Sequence, residues 1–289
     1  MRESLVFFGA GASFGSEPTA RTPPLGGALF AELAAFAPGT WGALPPPWPA
    51  SFAADFESAM ASFIASGGFG GPLQWDMADY FLSQFVTTRE SAYVALLQAL
   101  KHDISRYSFA SLNYETMLFQ ACPLAGLRAS DMPVCLPHGN AQLCCVGISA
   151  TAGVSYSGGV STSGTVRVFS DMRDFNREKA ANVFPPVMSY FEPSKFTVSC
   201  VNFIEEQREQ FAARASSADV IAIVGARVHP SDRHIWEPLA ATPARITYVS
   251  GPAAATEFER WASREGRSKD NAVPKYFLDG LEDLVACLS

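Results

Sequence analysis

The chain has 289 residues, of which 48% are hydrophobic and 17% charged, a globular composition that excludes a largely disordered protein. Its formal net charge is −7 and it has no dense run of lysine and arginine, which argues against generic binding of DNA or RNA. No apolar run approaches the ~18 residues of a membrane-spanning helix, and the first apolar run is too short for a secretion signal, so we expect a cytoplasmic protein.

The first half of the chain is predicted to contain three short strands and several helices. Residues 5–8 form a continuous apolar run that ends at a glycine, as is typical of a central strand buried on both faces of a parallel sheet. Two more strands are predicted at 108–112 and 134–136, and helices at 26–36 and 89–106. We interpret the region from about 40 to 106 as a helical insert packed against the sheet.

The second half alternates between helices and strands. Strands are predicted at 219–224 and 245–249, and helices at 203–215, 253–264 and 279–288. This alternation is expected of right-handed βαβ units, so we predict one α/β domain over residues 1–289, with helices on both faces of an open parallel sheet. The stretch 149–166 is rich in Ser, Gly and Thr and is predicted to be an exposed hairpin or a mobile loop.

Residues that could bind a metal are few. The six cysteines form no C-x-x-C pair, which gives little support for a structural zinc site. A chain of this size without a secretion signal seldom needs disulfides, so we expect buried free thiols at Cys122, Cys135, Cys144, Cys145, Cys200 and Cys287. His229 and His234 flank Asp232 but no further ligand cluster accompanies them, so no metal is predicted.

Polar or glycine residues follow four of the predicted strands. In open parallel sheets, ligands bind outside the carboxyl ends of the strands. Four such ends that meet at one crevice would form a nucleotide site. The residues concerned are the glycine turn at 9–13, Asn113, His138, and the segment from Gly225 to Asp232.

Each of these features also has a simpler explanation. The turn at 9–13 could approach a phosphate through its glycines or be a plain tight turn. Asn113 could bind ribose hydroxyls or a water molecule, or could cap a helix that starts at Tyr114. His138 could accept a proton near neutral pH or be a structural residue.

Four motifs, taken together and in order, resemble those of the sirtuin superfamily. Gly9-Ala10-Gly11-Ala12-Ser13 resembles its opening turn, and Ser111-Leu112-Asn113-Tyr114-Glu115 resembles its Thr-x-Asn-x-Asp element. His138-Gly139 resembles its His-Gly dipeptide. The segment 224–235 resembles its later glycine loop, whose bacterial forms end in Ser-Asp-x-His-Ile.

The resemblance implies a Rossmann-like domain that holds NAD extended across the strand ends. Asn113 would position the nicotinamide ribose and a water molecule, and His138 would be the base. The residues expected to contact NAD are Gly9, Ala10, Gly11 and Ser13 at the pyrophosphate, Ser111 and Glu115 beside Asn113, and Gly225 and Asp232 at the adenosine half.

The chain also departs from the family's pattern. The insert predicted at about 140–185 occupies the position of the family's zinc module but has only the adjacent Cys144 and Cys145. The segment 17–21 replaces the family's Asp-Phe-Arg element, and Ser250 stands where an asparagine is expected. The first two departures argue against binding of an acyl-lysine peptide.

Zinc-free bacterial sirtuin-like domains resemble NAD hydrolases of anti-phage defence. The predicted function is therefore hydrolysis of NAD to nicotinamide and ADP-ribose, with NAD as the substrate and no metal. A homo-oligomer, a regulatory protein encoded nearby, or both are expected as partners, with no direct nucleic-acid or membrane binding. The alternatives are a catalytically silent NAD- or ADP-ribose-binding scaffold or sensor subunit, and an NAD-dependent protein deacylase.

Overall fold

The structure is a computed structural model that describes residues 3–68, 70–147, 162–181, 184–189 and 199–289. The chain forms two compact units. The first comprises Met1–Pro23, Phe85–Pro137 and Gln207–Ser289, and the second comprises Pro24–Gln84 and His138–Glu206. The predicted insert at 40–106 is thus divided between the units after Gln84. Most of the predicted loop at 149–166 lies outside the described residues.

The described residues contain eight strands and twelve α-helices. The strands are β1 Ser4–Phe8, β2 Tyr107–Ser111, β3 Val134–Cys135, β4 Leu143–Val146, β5 Thr165–Val168, β6 Val220–Val224, β7 Arg245–Val249 and β8 Asn271–Val273. The helices are α1 Ala10–Phe14, α2 Gly26–Phe36, α3 Trp48–Ala54, α4 Phe56–Ala65, α5 Gly71–Ser83, α6 Ala92–Leu100, α7 Met117–Leu124, α8 Met172–Ala181, α9 Val201–Ser217, α10 Arg233–Ala241, α11 Pro252–Arg264 and α12 Leu281–Leu288. Among the helices described, none is long and apolar enough to cross a membrane.

The first unit is built on a six-stranded parallel sheet with the strand order β3-β2-β1-β6-β7-β8. This confirms the predicted α/β fold with an open parallel sheet. All five residues of β1 are buried, as its apolar sequence predicts for a central strand. The direction of strand addition reverses between β1 and β6, and such a switch point is where open parallel sheets bind ligands.

The strand register brings three carboxyl ends to one level of the sheet. Phe8, the last residue of β1, is paired with Ser111 of β2 on one side and with Val224 of β6 on the other. Each of these residues is the last of its strand. The segments that follow β1, β2 and β6 therefore leave the sheet side by side.

Aromatic side chains fill one face of this sheet. Phe7 of β1 contacts Phe211 of α9 with ring centroids 5.1 Å apart, and Tyr248 of β7 stacks on Phe258 of α11 at 4.4 Å. The Tyr248 hydroxyl donates a hydrogen bond to the Ala226 carbonyl oxygen at 2.6 Å. These contacts hold α9, α11 and the segment after β6 against the sheet.

One predicted helix needs correction, and one edge strand was not predicted. The helix predicted at 89–106 is shorter: α6 begins after Ser91, whose hydroxyl accepts a hydrogen bond from the Tyr93 N–H group, and ends at Leu100. A 3₁₀ segment, Lys101–Arg106, follows it, and the backbone of Asp103 interrupts the helical geometry there. The edge strand that was not predicted is β8, which has three residues.

The second unit contains α2 to α5, α8 and the antiparallel hairpin of β4 and β5. Arg167 of β5 forms ion pairs with Asp174 and Glu178 of α8, at 2.6 and 2.7 Å. Lys179 of α8 pairs with Asp76 of α5 at 2.7 Å. The Arg167 guanidinium lowers the pKa of Asp174 to about 2, so this carboxylate is ionised at neutral pH. Ion pairs thus link β5, α8 and α5.

The prediction of six free thiols is wrong for two cysteines. Cys145 of β4 and Cys200, which directly precedes α9, form a disulfide with their Cα atoms 5.7 Å apart. That separation lies in the usual range for disulfides. The pairing joins residues 55 positions apart in the chain, so cysteine spacing alone did not indicate it. Cys122, Cys135, Cys144 and Cys287 are free.

Candidate functional site

The glycine turn lies at the switch point of the sheet, between β1 and α1. The Gly9 N–H group donates a hydrogen bond to the Val224 carbonyl oxygen at 2.9 Å. The Gly11 N–H group donates to the Gly225 carbonyl oxygen at 2.8 Å. The turn is therefore bonded to the end of β6, and two of its amides are already engaged.

The glycine turn crosses the segment after β6, and the close packing of the two backbones explains why both contain glycines. A Cβ atom on Gly9 would lie 2.5 Å from the Ala226 Cα atom, and one on Gly11 would lie 2.9 Å from the Gly225 carbonyl oxygen. Gly225 has a φ of +63°, and a Cβ atom there would lie 2.0 Å from the Ala12 nitrogen. A ligand is not needed to explain the glycines, so phosphate binding by the turn stays a prediction. Ala10, the exposed first residue of α1, carries an N–H group with no partner inside its own helix.

Behind the turn, four buried side chains form one hydrogen-bonded cluster. We call it the Asn113 cluster; its members are Ser13, Tyr93, Asn113 and Glu115. The Ser13 hydroxyl donates to Glu115 Oε1 at 2.5 Å and lies 2.8 Å from the Tyr93 hydroxyl. The Asn113 amide nitrogen Nδ2 lies 2.9 Å from Ser13 Oγ and 3.3 Å from the Tyr93 hydroxyl.

Proton counting gives each hydrogen bond in the cluster a direction. An ionised Glu115 only accepts, so Ser13 donates its one proton to it. Ser13 Oγ must then accept from the Tyr93 hydroxyl and from the Asn113 amide. The Tyr93 oxygen in turn accepts the second amide proton of Asn113. Both N–H groups of Asn113 are thus engaged, and any further hydrogen bond to this side chain must be accepted by Oδ1.

Burial dominates the electrostatics of the Asn113 cluster. It raises the pKa of Glu115, while the hydrogen bonds from Ser13, from the Met117 N–H group and from the Asn113 side chain oppose the rise. Burial, followed by the charge of Glu115, raises the pKa of Tyr93 well above its usual value. Tyr93 therefore keeps its proton and remains a hydrogen-bond donor.

Asn113 does not cap a helix, which removes one of the two explanations for it. The next helix, α7, begins four residues later at Met117, and Glu115 Oε2 accepts the Met117 N–H group. The Asn113 N–H group donates to Ser111 Oγ at 3.1 Å. The short segment between β2 and α7 is thereby fixed, with the Asn113 amide in the cluster.

His138 is the first residue of the second segment of the second unit, three positions after the end of β3. Its carbonyl oxygen accepts a hydrogen bond from the Ser189 N–H group at 2.8 Å. Gly139 has a φ of +73°, and a Cβ atom there would lie 1.9 Å from the Val187 carbonyl oxygen. The glycine of the His-Gly dipeptide is thus required by backbone packing. The imidazole of His138 is buried.

The structure brings most of the predicted site residues together in the first unit. Around the ends of β1, β2 and β6 lie Gly9, Ala10, Gly11, Ser13, Ser111, Asn113, Glu115 and Gly225. Asp232 belongs to the same unit and directly precedes α10, where its carbonyl oxygen accepts the Ile235 and Trp236 N–H groups. Ser13 was expected to contact the pyrophosphate, but its hydroxyl is buried in the Asn113 cluster.

Tyr93 is the member of the cluster that sequence reasoning missed. The spacing of Tyr93, Leu96, Leu97 and Leu100 is that of one face of a helix, and all four side chains are buried. A tyrosine on an otherwise aliphatic face was the available signal, because a buried tyrosine hydroxyl usually has a hydrogen-bond partner. Nothing in the pattern indicated that the partners were Ser13 and Asn113.

No protein-family model and no curated protein matches the chain. Several solved structures do match it. One, from work on the mechanism and regulation of Sir2 enzymes, is 16% identical with a TM-score of 0.51, over 99% of this chain and 92% of that one. Another, from work on sirtuin substrate affinity, is 12% identical with a TM-score of 0.50, over the same shares of each chain. The chain therefore has a sirtuin-like, Rossmann-like α/β fold, as its motifs predicted.

Proposed function

We propose, on the premise of this sirtuin-like fold, that the chain is an NAD hydrolase that cleaves the bond between nicotinamide and ribose. The observation that carries the proposal is the Asn113 cluster. It lies at the switch point of the sheet and holds the Asn113 amide in one orientation through buried hydrogen bonds. An amide fixed in this way is suited to positioning a ribose hydroxyl or a water molecule.

The proposed reaction needs few groups. The bond between C1′ of the ribose and the nicotinamide nitrogen breaks, and the electron pair leaves with neutral nicotinamide. A water molecule attacks the oxocarbenium-like carbon and loses a proton, giving ADP-ribose. Asn113 holds the ribose and this water through Oδ1, and His138 takes the proton. A well-placed base contributes on the order of 10²–10⁴-fold to the rate.

The remaining site residues are proposed to bind the rest of NAD or to hold Asn113 in place. The turn containing Gly9, Ala10 and Gly11 borders the pyrophosphate, supported by its position at the switch point. Gly225 and Asp232 border the adenosine half. Ser111 fixes the backbone of Asn113, and Ser13 and Glu115 orient its amide.

The disulfide supports hydrolysis over deacylation. Zinc modules bind their metal through cysteine thiolates, and a sulfur atom in a disulfide is no longer such a ligand. Cys145 and Cys200 are joined to each other, and Cys144 is a buried thiol whose pKa burial raises to about 11. These cysteines therefore suit a structural cross-link better than a zinc site.

The biological role that fits NAD hydrolysis is defence against phage by depletion of cytoplasmic NAD. Constant NAD loss would harm the cell, so we propose a silent resting state. A regulatory protein encoded nearby, assembly into a homo-oligomer, or both would release the activity.

The test is nicotinamide release from NAD by the purified protein, alone and with the products of neighbouring genes. Asn113→Ala and His138→Ala should each lower turnover by at least about 100-fold, because one removes the positioning group and the other the base. His102→Ala is the matched control, since His102 is exposed in the 3₁₀ segment after α6. Its turnover should equal that of the unaltered protein.

Other outcomes would select another function. Tight NAD binding without turnover under every activating condition would indicate a silent scaffold or sensor. Formation of acetylated ADP-ribose from NAD and an acetyl-lysine peptide would indicate a deacylase. Full turnover by either alanine variant would remove that residue from the mechanism.

A further inference from the structure

Tyr93 lies at the start of α6 and is fully buried. Its ring packs edge-on against Phe8, the last residue of β1, with centroids 5.2 Å apart. On another side it contacts Phe277 at 5.1 Å, again edge-on. The ring is therefore held by apolar contacts that do not involve its hydroxyl.

The helix that carries Tyr93 is tied to the segment that carries Ser13. The Ala92 N–H group donates to the Ser16 carbonyl oxygen at 2.8 Å, just beyond α1. Thr88, shortly before α6, donates its hydroxyl to the Glu17 carboxylate at 2.7 Å. Because both anchors lie next to the turn, the Tyr93 hydroxyl has a fixed position relative to Ser13.

The Tyr93 hydroxyl contacts both the Asn113 amide and Ser13, the side chain that accepts one of the amide protons. It lies 2.8 Å from Ser13 Oγ and 3.3 Å from Asn113 Nδ2. A flipped amide would place Oδ1 beside Ser13, whose proton already goes to Glu115. The observed orientation instead gives each amide proton of Asn113 its own acceptor.

We propose that Tyr93 is a positioning residue that, together with Ser13, fixes the Asn113 amide so that Oδ1 accepts from a ribose hydroxyl or the attacking water. This assignment rests on the proposed hydrolysis of NAD. It adds a residue from α6 that none of the sirtuin-like motifs of the chain contains.

The first test is Tyr93→Phe, which removes the hydroxyl and keeps the packed ring. We expect kcat for nicotinamide release to fall about tenfold or more, the equivalent of one buried hydrogen bond. KM should change little, because the variant leaves the pyrophosphate contacts intact. The matched control is Tyr107→Phe, which removes a hydroxyl bonded to the Leu288 carbonyl oxygen at the opposite end of β2. It should keep its kcat.

Hydrogen exchange of the Asn113 side-chain amide provides a second test, which does not depend on turnover of NAD. In the ¹⁵N-labelled unaltered protein, the side-chain amide protons of Asn113, identified by their loss in Asn113→Ala, should be protected from hydrogen exchange. Tyr93→Phe should speed this exchange, and Tyr107→Phe should not. Rapid exchange in the unaltered protein would overturn the proposed geometry whatever the variants do.

The two proposals can fail separately. If the unaltered protein turns over NAD and Tyr93→Phe keeps full kcat, the role of Tyr93 is refuted and hydrolysis stands. If the unaltered protein never releases nicotinamide, hydrolysis is refuted, and the exchange measurement still decides whether Tyr93 holds the Asn113 amide.

Discussion

Among single residues, Glu115 controls the direction of the Asn113 cluster. Its carboxylate accepts from Ser13 and from the Met117 N–H group, so both oxygen atoms are acceptors. A protonated Glu115 would instead donate a hydrogen bond to Ser13 Oγ, and the Ser13 hydroxyl would then donate to the Tyr93 oxygen. The ionisation of one buried carboxyl group therefore determines which atoms of the cluster donate.

The first residue-scale prediction concerns pH and stability. Burial raises the pKa of Glu115 in the folded protein. The stabilisation from this shift is a contribution to the free energy of unfolding. It is therefore complete below the ordinary carboxyl pKa of about 4.3 and is lost as the pH rises through the pKa of Glu115 in the folded protein. Relative to Glu115→Gln, which cannot ionise, the unaltered protein should lose unfolding free energy as the pH rises. Urea unfolding at a series of pH values measures this, and a constant difference would contradict it.

The second residue-scale prediction concerns Gly225. Gly225→Ala would combine a left-handed backbone with a Cβ atom 2.0 Å from the Ala12 nitrogen. We expect a loss of about 2–5 kcal/mol in unfolding free energy from strain and overpacking together. Gly126→Ala is the control, because Gly126 has a φ of +78° but open space around its Cβ position. It should lose only about 1–2 kcal/mol, and equal losses in denaturant unfolding would refute the close approach.

Sequence motifs predicted where Ser13 and Asn113 lie, because residues that follow parallel strands emerge at the same edge of the sheet. They did not predict what the Ser13 hydroxyl does. Ser13 and Tyr93 are 80 positions apart, and helical periodicity indicates only that Tyr93 faces the interior. The polar partner of a buried side chain is a tertiary property that local patterns do not encode.

At the scale of secondary structure elements, predictions were best where an element is regular and buried. The helix predicted at 26–36 and the strand at 245–249 have the observed bounds of α2 and β7. The strand predicted at 134–136 is one residue longer than the observed β3, and β8 was not predicted. Both strands lie at the edges of the sheet. Edge strands of two or three residues have too few apolar positions for a periodic signal.

The element-scale prediction concerns the link between β4 and the start of α9. The disulfide closes a segment of 55 residues, so Cys145→Ser should lower unfolding free energy by about 2–4 kcal/mol under oxidising conditions. Adding dithiothreitol to the unaltered protein should have a similar effect, measured by denaturant unfolding. Cys144→Ser is the control, since the neighbouring Cys144 is a free thiol, and it should keep the response to reductant. A Cys145→Ser variant that still responds to reductant would contradict the pairing.

At the scale of the whole molecule, alternation of strands and helices was enough to predict an open parallel sheet. It was not enough to predict the two units, because each is assembled from segments distant in the chain. His138, for example, follows β3 closely in sequence but belongs to the second unit. Strand order and unit boundaries depend on which distant segments pack together. Hydrophobic periodicity reports only local structure and does not indicate those long-range contacts.

The close crossing of the glycine turn over Gly225 also bears on how related proteins are found. Gly9, Gly11 and Gly225 are each explained by one backbone approaching another, with no ligand involved. A genome search that requires only those glycines would therefore select chains with the same close backbone packing, whichever ligand they bind. A search that also demands the serine, tyrosine, asparagine and glutamate of the Asn113 cluster would instead select for a shared polar interior, and so for candidates with the same chemistry.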